Sequence, residues 1–477
     1  MESGYAVAVL LLGTIYSFIT FKNNTMKTRL KLMLLVMGAS FFIISGCKKN
    51  DNFVSPSSQS AANYDEAVQG AQTSKFNADV PSKWYALAIK LARTTPNQGL
   101  APINARAFGY IGLALYEAVV PGMPTHKSIQ GQLNGLTGLP RVNCSQKYYY
   151  PACGNAALAN MVHHMFGNTS PAQNFTIDSL ENSFNTLFKS TVPKQVFDRS
   201  VSFGQNISNA IYNWSKSDGG DQAYLNPFSS TYTPPVGPGL WVPLPGQLAL
   251  LPYWGNNRTF IAGIAKSTQP PSPPSYSTNP ASKFYKEELE VYNESINQDP
   301  EHIIIAKYWA ALPGPCVSIS ILSSVLATKE SNLSVAAEAY CKVGIATADA
   351  LVSCHKTKYA HSEERPITFI QANLNPTWVS LLPTPPFPDY TSAHSVQTGA
   401  AARVLADIFG NNTTFTDNSI NDLGFSPRTF TKFSDYANEV GLSRIYGGIH
   451  TRTSDFVGLK QGDLVGMQVD ALHFRKN

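Results

Sequence analysis

The chain has 477 residues, of which 43% are hydrophobic, 11% aromatic and only 14% charged. That balance excludes an intrinsically disordered protein and leaves room for one large core or two smaller ones. Of the formal charge of +5, Lys22, Lys27, Arg29 and Lys31 against Glu2 account for +3, so about +2 remains from Cys47 onward and there is no electrostatic case for nucleic acid as a partner.

The amino end reads as an export signal. Met26 to Lys31 form a basic segment, Leu32 to Ile44 a short apolar run, and Ile44-Ser45-Gly46 set small residues before Cys47. The pattern resembles a bacterial lipoprotein signal, with leader residues 1–46 (signal 26–46) and Cys47 as the lipidated residue. Lys48, Lys49 and Asn50 follow, without the acidic residue that favours inner-membrane retention. The expected location is therefore the outer membrane, cell surface or periplasm, with membrane contact only through the anchor. A second apolar run at 5–21 duplicates this signal, which makes Met26 the simpler start.

Residues 47–80, rich in Ser, Gln, Asn and Ala, read as a flexible tether. The folded domain is expected over 81–477. Apolar spacing predicts helices at 81–95 and 103–120, the first with Asp79 as a candidate cap and the second stopped by Pro121-Gly122. Further helices are expected at about 154–166, 172–190 and 194–216. In the oxidising compartment that export implies, Cys144 and Cys153 are free to pair. Cys341 and Cys354 fall in an apolar helical pattern and read as small core residues.

From 219 to 280 Pro, Gly, Ser and Tyr dominate without a period, as in Pro270-Pro271-Ser272-Pro273-Pro274. So long an irregular stretch is expected to pack across the surface and help wall a pocket. Helices resume at about 281–296, 300–311, 317–328 and 333–356. The fold class is mainly α, with helices packed in bundles.

Three separated clusters carry the chemistry: Lys358-x6-Arg365-Pro366, Thr391-Ser392-Ala393-His394 and Ser443-Arg444-x5-His450. They supply three cations, one hydroxyl and two imidazoles, which suits a tetrahedral oxyanion. Lys358 falls at a helix end and Pro366 biases Arg365 to extended backbone. The spacing of about two helical turns allows both heads to face one side. Taken singly, such a pair also describes a solvated basic helix end. Ser392 to His394 open a helix running from about Ala393 to Phe409, where free N–H groups favour an anion; Ser392 there is either ligand or plain N-cap. A helix from about Ser434 ends near Tyr446, and Arg444 and His450 flank Gly447-Gly448. The last helix begins near Ser454-Asp455.

In this order the clusters resemble the superfamily of type-2 phosphatidic acid phosphatases, bacterial class A acid phosphatases and vanadium-dependent haloperoxidases. Its motif is K-x6-RP, then P-S-G-H, then S-R-x5-H-x3-D. Pro385-Pro386-Phe387-Pro388-Asp389-Tyr390 and the early helices look like the secreted bacterial haloperoxidase-like branch. The resemblance implies two four-helix bundles with an anion site in a core cleft, and vanadate as cofactor. It implies that Lys358, Arg365 and Arg444, with Ser392 and the Ala393 N–H, bind equatorial oxygens. His450 would bond to vanadium or attack phosphorus, and His394 would handle the proton at the far apex.

Departures from the motif are Thr391 for Pro, Ala393 for Gly, and an aspartate one position late. Asp455 is either the residue that orients His450 or a favourable charge on a helix N-terminus. Phe387 and His355 mark the expected halide pocket, His355 standing where Trp is common. The leading expectation is a haloperoxidase-like enzyme that uses H2O2 to oxidise halide. The alternatives are a phosphatase working through a phospho-histidine, its substrate a phosphate ester, and a non-catalytic surface lipoprotein. An oligomer is compatible with all three.

Overall fold

The computed structural model describes residues 72–476. The expected leader, Cys47 and the tether as far as residue 71 lie outside that range. Residues 72–80 belong to the packed body and not to a tether. Thr73 is buried and donates its hydroxyl to the Val119 carbonyl at 2.9 Å. The Phe76 ring meets Tyr149 edge-on at 5.2 Å, and its carbonyl accepts from the Leu333 N–H at 2.8 Å. Polar composition hid these contacts, which a few well-placed residues make.

The first half supplies α1 (Asp79–Thr94), α2 (Ala101–Val119), α3 (Tyr150–Met165), α4 (Pro171–Thr191) and α5 (Lys194–Ser215). The second half supplies α6 (Lys283–Asn297), α7 (Pro300–Ala310), α8 (Gly314–Thr328), α9 (Leu333–His361) and α10 (Pro366–Asn373). It closes with α11 (Ala393–Phe409), α12 (Phe433–Tyr446) and α13 (Arg452–Asp470). Apolar spacing anticipates all of these within a few residues except α10, whose 8 residues are too few to show a period. Proline in the first turn starts several of them, and a Ser170–Gln173 capping box starts α4.

The 29-residue α9 is buried along most of its length. Small residues such as Ala336, Ala339, Gly344 and Ala350 let α2 lie against one side and α11 against the other. Helices α2, α3 and α5 with α9 form one bundle, and α9, α11, α12 and α13 the second. The irregular segment 219–280 is pinned at two points. The short strand β1 (Phe228–Ser229) pairs antiparallel with β2 (Ala249–Leu250), and the Leu250 N–H donates to the Pro386 carbonyl at 2.9 Å. Strands β3 (Phe415–Asp417) and β4 (Arg428–Phe430) form a second antiparallel pair between α11 and α12.

Among the described residues no single helix is long and apolar enough to cross a membrane. Cys144 and Cys153 do not pair. Cys144 is exposed on its loop, whereas Cys153 lies inside α3 and is buried against the core.

Helices α11 and α13 touch backbone to backbone. A Cβ on Gly462 would stand 2.0 Å from the Val396 carbonyl oxygen, and one on Gly399 2.5 Å from that of Leu459. This contact sets the start of α11 against the start of α13. Gly462→Ala is therefore expected to destabilise the fold by about 3 kcal/mol, because neither backbone can yield without moving its helix. Thermal and denaturant unfolding measure this; a change within about 0.5 kcal/mol, the range of neutral surface substitutions, would contradict the packing.

Candidate functional site

Lys358 sits in the last turn of α9, buried, and donates to the Pro388 and Asp389 carbonyls at 2.8 Å each. The helix stops at His361, and Ser362 takes a left-handed conformation (φ 50°). Arg365 then arrives extended (φ −88°, ψ 151°), as the following proline requires. The two cations thus do not share a helix face, contrary to what their spacing allowed. They nevertheless converge, standing 4.8 and 4.9 Å from the centroid of the Phe387 ring. Neither is a solvated helix end.

Arg365 Nε donates to the Phe387 carbonyl at 2.8 Å. Its Nη1 reaches the Ile449 carbonyl at 2.6 Å and His450 Nε2 at 3.2 Å. Its Nη2 is buried without a hydrogen-bond partner. Arg444, in the last turn of α12, makes a long bond to the Trp309 carbonyl (3.4 Å) and leaves its buried Nε unpartnered. The turn at Gly448 (φ +76°), a conformation natural to glycine, then carries the chain to His450.

His450 Nδ1 lies 2.6 Å from Asp389 Oδ1 and 3.2 Å from Ser454 Oγ. With a carboxylate at one ring nitrogen and a guanidinium at the other, the proton belongs on Nδ1 and Nε2 keeps its lone pair. Burial outweighs the attraction of Asp389, and with Arg365 and Lys358 it pushes His450 down to about 3. Burial alone would raise Asp389; the His450 ring, Arg365 and Lys358 hold it below the ordinary carboxylate range. Asp389 Oδ2 also accepts from the Thr451 hydroxyl at 3.3 Å, and its N–H donates to the Glu363 carbonyl at 3.0 Å. The carboxylate that orients His450 is therefore Asp389, which sequence reasoning passed over although it stands two residues after Phe387.

Asp455 does not orient His450. Thr451 caps α13, so Ser454 comes back under the imidazole. Asp455, about 100° further round, faces α11 and accepts from Ser395 Oγ at 3.0 Å. Burial pushes Asp455 up to about 8, so it is largely uncharged at neutral pH.

Ser392 is the N-cap residue of α11, but its side chain makes no capping bond, and its buried Oγ has no hydrogen bond of normal geometry. Ala393 is helical, so replacing glycine with alanine leaves its N–H available in the unsatisfied first turn. His394 is half-buried; burial and the charges of Arg444, Lys358 and Arg365 hold its imidazole well below the usual range and hence neutral. Burial lowers Lys358 to about 8 and the two arginines to about 10, which keeps all three protonated at neutral pH.

These groups border a cavity of about 430 Å³ lined by Ala393, His394, Arg444, His450, Phe387 and His355. Leu250, from the long irregular segment, contributes to its wall as expected. His355 Nδ1 donates to the Leu351 carbonyl at 3.0 Å, and its ring lies 5.9 Å from Phe387. Three buried cations thus meet a single ionised carboxylate, Asp389, and a surplus of two positive charges remains. Among the described residues no His, Cys, Asp and Glu group is arranged to hold a metal cation. The surplus of positive charge matches an anion in sign.

A family model described as the VCPO second helical-bundle domain matches residues 338–475. The structure is similar to a bacterial vanadium-dependent iodoperoxidase, with 30% identity, TM-score 0.76, and coverage of 84% of this chain and 98% of that one. An apo bacterial vanadium-dependent chloroperoxidase shares the fold at 17% identity and TM-score 0.64, over 85% of this chain and 100% of that one. The holo form of a bacterial vanadium-dependent chloroperoxidase does so at 18% and 0.60, over 80% and 95%. No curated protein sequence matches the chain.

Two outcomes follow from this geometry. Asp389→Asn is expected to weaken oxyanion binding roughly 10- to 100-fold, as loss of a ligand-orienting partner does, with Asp455→Asn nearly silent. Calorimetric titration with sulfate, whose charge does not change near neutrality, measures both; the reverse ranking would contradict the assignment. The Lys358 charge is present below about 8 and lost above it. Sulfate affinity is therefore expected to fall roughly tenfold or more as pH rises from 7 to 9, the loss of one charge-assisted hydrogen bond. A profile that is flat, or unchanged in Lys358→Met, would contradict this.

Proposed function

The chain belongs to the vanadium-dependent haloperoxidase family, and from that premise we propose that it binds vanadate and uses hydrogen peroxide to oxidise a halide. The supporting observation is the uncompensated positive charge around His450 Nε2. Arg365 Nη2 and Arg444 Nε are two buried donors there without hydrogen-bond partners. An unpaired buried ion costs several kcal/mol, so such groups are retained where an incoming acceptor satisfies them. A tetrahedral oxyanion supplies acceptors in several directions, and the donor set fits it.

In this reading Lys358, Arg365, Arg444 and the first-turn amides of α11 would hold the oxygens of vanadate, and His450 Nε2 would be the nitrogen that bonds to vanadium. Bound vanadate supplies the Lewis acidity that activates peroxide for attack by halide. The residues of the chain do the rest. Asp389 keeps the His450 proton on Nδ1, so Nε2 stays unprotonated, its lone pair turned to Arg365 Nη1 at 3.2 Å. His394, neutral and at the cavity surface, accepts the proton that peroxide releases. The apolar walls keep bulk water away, which strengthens each charge interaction inside. The 30% identical relative is an iodoperoxidase, and iodide is the most easily oxidised of the common halides; both support iodide as the halide. We further propose, from the signal ending at Cys47, that the enzyme works as an exported lipoprotein.

The decisive assay gives the purified chain vanadate, peroxide and each halide in turn, beside a phosphate monoester without vanadate. Vanadate-dependent iodide oxidation is expected, abolished in His450→Ala. In His394→Ala, kcat is expected to fall about 10²- to 10⁴-fold, the usual range for a lost proton-transfer group, with sulfate affinity retained. Ester hydrolysis without halide oxidation would instead assign the site to phospho-histidine chemistry.

A further inference from the structure

A tetrahedral oxyanion, peroxide and a halide ion together need only part of a cavity of about 430 Å³. That volume lies within the roughly 300–1,000 Å³ typical of sites for organic ligands. Much of its lining is apolar, including Leu250, Leu312, Leu382, Pro385, Pro386 and Ile449. Such a wall gives nothing to a hydrated anion but releases water when an apolar molecule covers it.

Besides the Arg444 Nε donor, the same lining holds a buried acceptor atom without a partner, His355 Nε2. His355 commits Nδ1–H to the Leu351 carbonyl of its own helix, so Nε2 lies on the opposite edge of the ring, buried and unbonded. Burial and the nearby Lys358 charge push this imidazole down to about 3. Nε2 therefore carries a lone pair and accepts only. A halide has no proton to offer it and is repelled by it. A hydroxyl satisfies it, and Phe387, in ring contact with His355, adds an aromatic surface.

We propose that this cavity binds a small apolar aromatic alcohol, a phenol, whose hydroxyl donates to His355 Nε2. For its catalytic meaning the inference rests on the proposed halide oxidation; for binding it does not. The phenol is then the acceptor of the oxidised halogen. A ring carbon forms its bond to halogen as the halogen–oxygen bond of hypohalous acid breaks. The ring proton leaves with the released hydroxide as water, the carbon is oxidised and the halogen reduced. His355 is a specificity-determining residue in this scheme and touches neither His450 nor the oxyanion-binding groups through any hydrogen bond.

The test is calorimetric titration of the full chain, without vanadate, using 4-ethylphenol and its methyl ether 4-ethylanisole. Wild type is expected to prefer the phenol by about tenfold, the worth of one buried hydrogen bond. His355→Phe keeps the ring and removes the acceptor, so it should bind both compounds alike. Sulfate titration of the same variant, expected unchanged, shows that the fold and anion pocket survive. No binding of either compound at millimolar concentration, or a phenol preference that persists in His355→Phe, would overturn the proposal. Phenol binding by a chain that oxidises no halide would sink the enzymatic reading and leave this one standing.

Discussion

Everything at this centre depends on one contact, the hydrogen bond between Asp389 and His450. It places the imidazole proton on the far side from the cavity, so the inward nitrogen presents a lone pair beside the Arg365 guanidinium. The one ionised carboxylate of the site is shared between orienting His450 and pairing with Arg365 at 3.4 Å, so Lys358, Arg365 and Arg444 keep a surplus of two positive charges. A second ionised carboxylate among the cations would have brought the cluster closer to neutrality and weakened its attraction for an anion. Here burial keeps Asp455 largely protonated at neutral pH, and the cationic surplus persists.

The scaffold turns three distant segments into one wall. Helix α9 delivers Lys358, the extended link after it delivers Arg365, and the close-packed pair α11 and α13 sets Ser392 and His394 opposite His450. Because α11 and α13 meet through glycines, backbone contacts fix their separation more tightly than side-chain packing would. The segment before α11, from Pro385 to Asp389, touches nearly every part of this arrangement. Its carbonyls take Lys358 and Arg365, its Phe387 ring lies beneath both cations, and its aspartate holds the imidazole.

Much of this was legible in the sequence, for specific reasons. Amphipathic spacing located the long helices because each buries one stripe. The ordered clusters picked out side chains that do converge around one cavity, because few other arrangements need two imidazoles, a helix N-terminus and three cations in that order. What escaped were features set by tertiary contact. Asp389 reads as part of a proline-rich loop, and nothing local says that its carboxylate meets a side chain some sixty residues on. Asp455 was credited through motif spacing, yet the one-residue delay rotates it onto α11. Ser362 breaks α9 by a left-handed residue that no glycine announces, so Lys358 and Arg365 meet through a turn. Cys153 reads as loop because the run Tyr148-Tyr149-Tyr150-Pro151 hides the start of α3.

The central claim is that one tetrahedral anion sits among these cations with His450 Nε2 as its bonding nitrogen. The most direct test is a crystal of the purified protein soaked with tungstate, located by its anomalous scattering. The account predicts one strong peak within bonding distance of His450 Nε2, enclosed by Lys358, Arg365 and Arg444. A peak at the protein surface with this cavity holding none, or one held by the arginines but remote from His450, would contradict it.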